Sequence, residues 1–202
     1  MTRPGLLLWG ALALLGACAQ TRSTIPPGYA LTDSNTGVVI VRVEYVDGSG
    51  KPLPTMAGGG GLIGPNRIPM SWTREGGGQS FDLEPVNEGS ASDFYVALPA
   101  GVYRMVHVSG VGFNERWYVI RFSVEPGVVT YAGMLRFRSG FLKGRQEFTP
   151  YDEYDAAVAR FRASHSALGS DVRKSLLRLY IARGGYVEEQ PWIGPAHENP
   201  PY

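Results

Sequence analysis

The strongest constraint on what this chain can fold into lies between Phe94 and Phe137. Phe94, Val96 and Leu98 alternate with their neighbours, and Pro99-Ala100-Gly101 then breaks the run before residues 102–108. Gly110 and Gly112 interrupt next. From Arg116 to Val124 the alternation returns, with Trp117 and Val119 on one face and Tyr118, Ile120, Phe122 and Val124 on the other. Pro126-Gly127 turns the chain into residues 128–137. A period of two marks strands with two distinct faces. Several such strands at roughly ten-residue spacing, separated by Gly/Pro turns, point to a β-sandwich or barrel.

The pattern begins earlier and ends in a different period. In residues 38–46, Val39, Val41, Val43 and Tyr45 alternate with Ile40, Arg42 and Glu44, before a turn at Asp47-Gly48-Ser49-Gly50. Residues 51–92 are less regular. Short strands are expected near 67–72 and 80–83, and the glycine runs at 58–61 and 76–78 read as loop. No Gly-Lys-Ser/Thr follows them, so they are not a phosphate loop. After Thr149 the spacing changes to three and four residues. Thr149 suits a cap, Pro150 a first helical turn, and Asp152, Glu153 and Asp155 the positive helix end. Tyr151, Tyr154, Val158 and Phe161 would form one apolar face. Ser170 would cap a second helix reaching Arg183, with Val172, Leu176, Leu179 and Tyr180 buried, and Gly184-Gly185 would end it.

The start of the chain has its own signature. Arg3 precedes an apolar run from Leu6 to Leu15, which ends at Leu15-Gly16-Ala17-Cys18. About ten apolar residues are too few to span a bilayer core of ~30 Å as a helix, and the layout is that of a secretory signal. Leu-Gly-Ala-Cys resembles the lipobox of bacterial lipoproteins. That resemblance implies cleavage between Ala17 and Cys18, a diacylglycerol on the Cys18 thiol and an acyl chain such as palmitate on the new amino terminus. Ala19 after the cysteine implies sorting to the outer membrane. Loss of Arg3 from 19 basic residues would leave them equal to the 18 acidic ones. Such a balance does not suggest nucleic acid as a partner or a polybasic membrane patch. Anchoring would then rest on covalent lipid, for which one chain is marginal and two or more are stable.

Leu98-Pro99-Ala100-Gly101-Val102-Tyr103 resembles the Leu-Pro-x-Gly-x-Tyr hairpin of prealbumin-like and carboxypeptidase-regulatory-like sandwiches. Val124-Glu125-Pro126-Gly127 followed by Tyr131 resembles the next hairpin of that pattern. With the lipobox, the whole is similar to uncharacterised proteobacterial lipoproteins that carry such a sandwich before a helical tail. The expected fold is therefore mainly β: an antiparallel Ig-like or prealbumin-like β-sandwich with two C-terminal α-helices. The expected division is a signal peptide at 1–17, a lipidated tether at 18–37 and the sandwich at 38–149. A two-helix extension at 150–185 and a Pro-rich tail at 186–202 would follow. A mature chain of about 185 residues can bury a core without disulfides, and it has no second cysteine with which to form one.

Chemistry is sparse in the sequence. There is no Gly-x-Ser-x-Gly elbow and no His-Glu-x-x-His. His107, His165 and His197 do not share metal-ligand spacing, so no metal or cofactor is expected. Asp152, Glu153 and Asp155 are explained by the helix macrodipole. Trp72 and Trp192 are the candidate partner-binding aromatics, Trp192 because it lies in the Pro-rich tail. Folding back of that tail onto the domain is an equal alternative. The expected function is a non-enzymatic protein-binding or assembly module of the cell envelope. It would be held at the outer membrane, on the periplasmic face, with another envelope protein as partner. A carbohydrate- or peptidoglycan-binding module and an enzyme of another type are the alternatives.

Overall fold

Thirteen strands and one α-helix are found in the computed structural model, which describes residues 20–22, 24–47, 49–52, 70–83, 91–108, 111–112, 118–139, 146–168, 171–183 and 186–189. The signal peptide, Cys18, the glycine run at 58–61, Trp117 and Trp192 lie outside the described residues. The strands are β1 (Gln20–Arg22), β2 (Thr36–Val46), β3 (Met70–Arg74), β4 (Ser80–Leu83), β5 (Ala91–Pro99), β6 (Gly101–Val108) and β7 (Val111–Gly112). They continue with β8 (Tyr118–Val124), β9 (Val129–Ser139) and β10 (Gln146–Tyr151). After helix α1 (Tyr154–Ser164) come β11 (Val172–Lys174), β12 (Arg178–Arg183) and β13 (Tyr186–Glu189).

The chain is mainly β, in two sheets. The large sheet runs β1-β4-β3-β6-β8-β12-β13, with β7 on β6. The small sheet runs β10-β9-β2-β5, and β11 joins the edge of β9 next to β10. The alternation seen in the sequence becomes the facing of these sheets. Val39, Val41, Val43, Phe94, Val96 and Leu98 of the small sheet meet Trp72, Phe81, Tyr103, Met105, Ile120 and Phe122 of the large one. Leu177 and Leu179 close the same core.

Both turns singled out in the sequence are corners between the sheets. β5 and β6 lie in different sheets, as do β8 and β9. At the first corner the Tyr103 hydroxyl donates to the Pro99 carbonyl at 2.6 Å, and Arg74 donates to the Ala100 carbonyl at 2.6 Å. At the second, Gly127 has φ of 70°, and its N–H donates to the Thr36 carbonyl at 2.9 Å. Gly37 lies so close that an added Cβ would stand 2.2 Å from the Glu125 carbonyl oxygen.

The small sheet is covered on its outer face too. Val38, Ile40, Tyr95, Val129 and Tyr131 pack under Ala157, Val158 and Phe161 of α1. Val38 to Val41 are therefore all buried, as in a strand with apolar matter on both sides.

Four expectations are corrected. The second C-terminal helix is absent: residues 172–174 and 178–183 are β11 and β12. Leu177 and Leu179 enter the core while Arg178 stays out, a period of two imposed by pairing with β8. Tertiary context overrides a weak local pattern here. The first helix starts later than expected, since Thr149 and Pro150 belong to β10. Pro150 is tolerated because β10 is an edge strand. The sandwich is also not wholly antiparallel, because β2–β9, β1–β4 and β11–β9 are parallel pairs. Finally, most of the expected tether is folded. β1 pairs with β4, Ile25 is buried under α1, and Tyr29 and Leu31 pack beside it.

Candidate functional site

Charges gather on both outer faces of the sandwich, in different ways. On the small sheet they are matched and enclosed. Arg42 and Asp93 stand opposite each other on β2 and β5, and the Arg42 guanidinium donates to both Asp93 oxygens at 3.1 and 3.0 Å. Arg160 of α1 reaches the same carboxylate at 3.4 Å. Glu44 and Arg136 are cross-strand partners at 2.6 Å, and Arg136 also donates to the Tyr151 hydroxyl at 3.1 Å. Burial opposes the charge on Arg136, but Glu44 and Tyr151 outweigh it and hold its pKa above the usual value. Burial pushes the Tyr95 hydroxyl up to about 12, with the Asp93 charge adding to the shift. Burial likewise raises Tyr131, whose hydroxyl accepts from the Glu153 N–H at 2.7 Å. Arg160 ties α1 to this network, and the Glu153–Tyr131 bond holds the start of the helix on the sheet.

His165 belongs to this structural set. It is buried, stacked on Phe161 and edge-on to Tyr95. Its Nε2–H donates to the Ile25 carbonyl at 2.8 Å, and Nδ1 meets the Ser164 hydroxyl at 2.8 Å. His107 lies on β6, opposite Ser71 and Gly112. Among the described residues, no three His, Cys, Asp or Glu side chains gather as a metal site. Asp152 accepts from the Tyr154 N–H at 3.2 Å and pairs with Lys174, while Glu153 is 3.7 Å from Arg160.

The large sheet differs. No helix of the described residues covers its outer face, and an arginine row crosses it. Arg104 of β6 stands opposite Arg121 of β8, and Arg121 stands opposite Arg178 of β12. Each lies between inward residues, so all three project outward: Tyr103 and Met105 flank Arg104, Ile120 and Phe122 flank Arg121, Leu177 and Leu179 flank Arg178. Directly opposed Cβ atoms are about 4.5–5.5 Å apart, and like charges there are destabilising. Glu75 meets Arg121 at 2.8 Å, and Glu189 meets Arg178 at 3.8 Å. Both pairs are exposed, and such pairs are worth about 0–1 kcal/mol. A hydrogen bond with Tyr180 and the Glu189 charge raise the pKa of Arg178.

A cleft of about 690 Å³ opens beside the row, where the chain crosses from β11 to β12. Arg121, Arg178, Lys174, Ser123, Tyr180 and Glu189 line it, and Val102 forms an exposed apolar rim. Guanidinium forks bind carboxylates and phosphates by paired hydrogen bonds. Arg121 and Arg178 already meet Glu75 and Glu189 at this surface, and a guanidinium has further N–H groups able to donate to acidic groups.

Trp72, expected as a partner-binding aromatic, is enclosed in the core with no exposed surface and packs edge-on to Phe122 at 4.3 Å. It has no face to offer a ligand. The arginine row escaped the sequence reading because it exists only through register. Arg121 alternates with Ile120 and Phe122, but the alternation alone does not say which face is outward, and Arg178 fell in a segment read as helix.

No known protein family, curated protein or solved structure matches this chain.

Proposed function

We propose that this protein is a lipid-anchored outer-membrane protein acting without catalysis, as a docking or assembly module of the cell envelope on the periplasmic face. The single observation that carries the docking role is the arginine row Arg104–Arg121–Arg178 on the open sheet face. Its partner is an envelope protein presenting carboxylates. The anchoring is supported by the lipobox-like Leu15-Gly16-Ala17-Cys18. Trp192, in the Pro-rich tail, is a second contact to the same partner.

The Ig-like or prealbumin-like identity of the sandwich is part of this reading. It is supported by the Tyr103 hydroxyl bonded to the carbonyl four residues upstream at an inter-sheet corner. That is the arrangement of the tyrosine corner in Ig-like sandwiches.

A second reading, a peptidoglycan-binding module, is favoured by the cleft, where Tyr180 and Ser123 lie beside the arginines. Aromatic rings stack on sugars, and peptidoglycan stems carry carboxylates. Two assays test these readings. Palmitate labelling with outer-membrane fractionation should show lipid on the native chain and none on Cys18→Ser; an unlabelled native chain contradicts the anchor. Co-sedimentation with purified peptidoglycan should show no binding beyond that of an unrelated protein. Binding that Tyr180→Ala abolishes would transfer the role to the second reading.

A further inference from the structure

We propose that the β1 edge of the large sheet rests on lipid headgroups, so that the domain sits directly on the leaflet instead of hanging from a tether. This rests on lipidation of Cys18. Two peptide units separate Cys18 from Gln20, the first residue of β1. Their extended reach is about 7 Å. The headgroup layer is of similar depth, roughly 5–7 Å on each side of the hydrocarbon core. A free tether of about twenty residues would instead average ~25 Å.

The fold leaves no slack beyond Gln20 either. Gln20, Thr21 and Arg22 run in register with Phe81, Asp82 and Leu83, and the Phe81 and Leu83 side chains are rooted in the core. Three residues past β1, Ile25 is held by side chain and backbone together. Its side chain is buried under α1, its N–H donates to the Tyr95 carbonyl at 2.9 Å, and its carbonyl accepts from His165 at 2.8 Å. The segment thus runs from the large-sheet edge to the outer face of the small sheet and ties the two together. Releasing it to lengthen the tether would expose Ile25 and break both bonds.

The seating also orients the molecule. β6, β8 and β12 lie third to fifth from β1 in strand order. At about 4.8 Å per strand, the arginine row stands about 14–24 Å from that edge. This is beyond the headgroups and open to the aqueous side.

The test uses the full lipidated protein in vesicles of phosphatidylethanolamine and phosphatidylglycerol. Since Cys18 is the only cysteine and would carry lipid, one introduced cysteine can be labelled alone. A fluorophore at Ser80→Cys, beside β1, is compared with one at Glu189→Cys, on β13 at the opposite edge. Quenching by headgroup-attached paramagnetic lipid should be several-fold stronger at position 80. Inserting about twelve Gly/Ser residues between Ala19 and Gln20, ~20 Å of added reach, should remove that difference while palmitate labelling persists. Equal quenching at both positions, or no effect of the insertion, in a protein that carries palmitate would overturn the seating alone. Absence of palmitate from the native chain would overturn the anchor and the seating with it.

Discussion

Gly37 shows how a single atom governs the second corner. An alanine Cβ there would stand 2.2 Å from the Glu125 carbonyl oxygen and 2.8 Å from Val124 Cγ1, so backbone must move. Gly37→Ala should cost about 3 kcal/mol, the upper range for overpacking. Gly127→Ala, with φ of 70° but open space around it, should cost only the left-handed strain of about 1–2 kcal/mol. Urea denaturation of both variants checks the order. Removing the Tyr103 hydroxyl in Tyr103→Phe leaves the Pro99 carbonyl without that donor, a loss of about 2 kcal/mol by the same assay. Tyr95 sets a pH dependence. Its folded pKa is about 12 against 10 for the free side chain, so the folded state keeps the proton while the unfolded state releases it. The contribution is fully present below pH 10 and is lost as pH rises towards 12. Stability should fall across that window, and less steeply in Tyr95→Phe. Equal slopes for the two proteins would contradict the assignment.

At the scale of elements, the segment before β2 separates a tether from a built-in part of the fold. Truncating a residue in a free tether costs nothing, whereas Ile25→Ala should cost about 2–5 kcal/mol, as for a core residue. A thermal melt that does not move would show that the segment is unattached. Between Phe94 and Phe137, β6 and β8 were legible because their described residues are buried with a period of two, whereas β5 and β9, buried on both faces, were delimited by the turns at Pro99-Ala100-Gly101 and Pro126-Gly127. That those turns join different sheets was not legible, since a turn residue does not say which sheet the next strand enters. Residues 170–183 misled because Val172, Leu176, Leu179 and Tyr180 fit helical spacing while Leu177 and Leu179 fit a strand. The free edge of β8 decided between them. Polarity hid the N-terminal segment, in which the deeply buried Ile25 carries no periodic signal.

At the scale of the whole molecule, the two outer faces divide the work. The small sheet spends its outer face on α1, and its charges close on one another. The large sheet keeps an open face where three arginines oppose each other across neighbouring strands. A protein selected for stability alone would gain from breaking that row. Arg121→Gln should therefore leave stability unchanged or raise it by a few tenths of a kcal/mol, while weakening docking; a marked loss of stability would make Arg121 structural. The site was not readable from the sequence because opposition of Arg104, Arg121 and Arg178 requires the register of three strands.

The most direct test of the docking face is site-specific photocrosslinking in living cells. A photoreactive residue would replace Ser123 on the open face or Ala156 on the exposed side of α1. A discrete crosslink to an acidic envelope protein is expected from position 123 and none from position 156, and the crosslink should be lost when Arg121→Glu and Arg178→Glu are combined. A crosslink from position 156 alone, or one from position 123 that survives both charge reversals, would contradict the docking role.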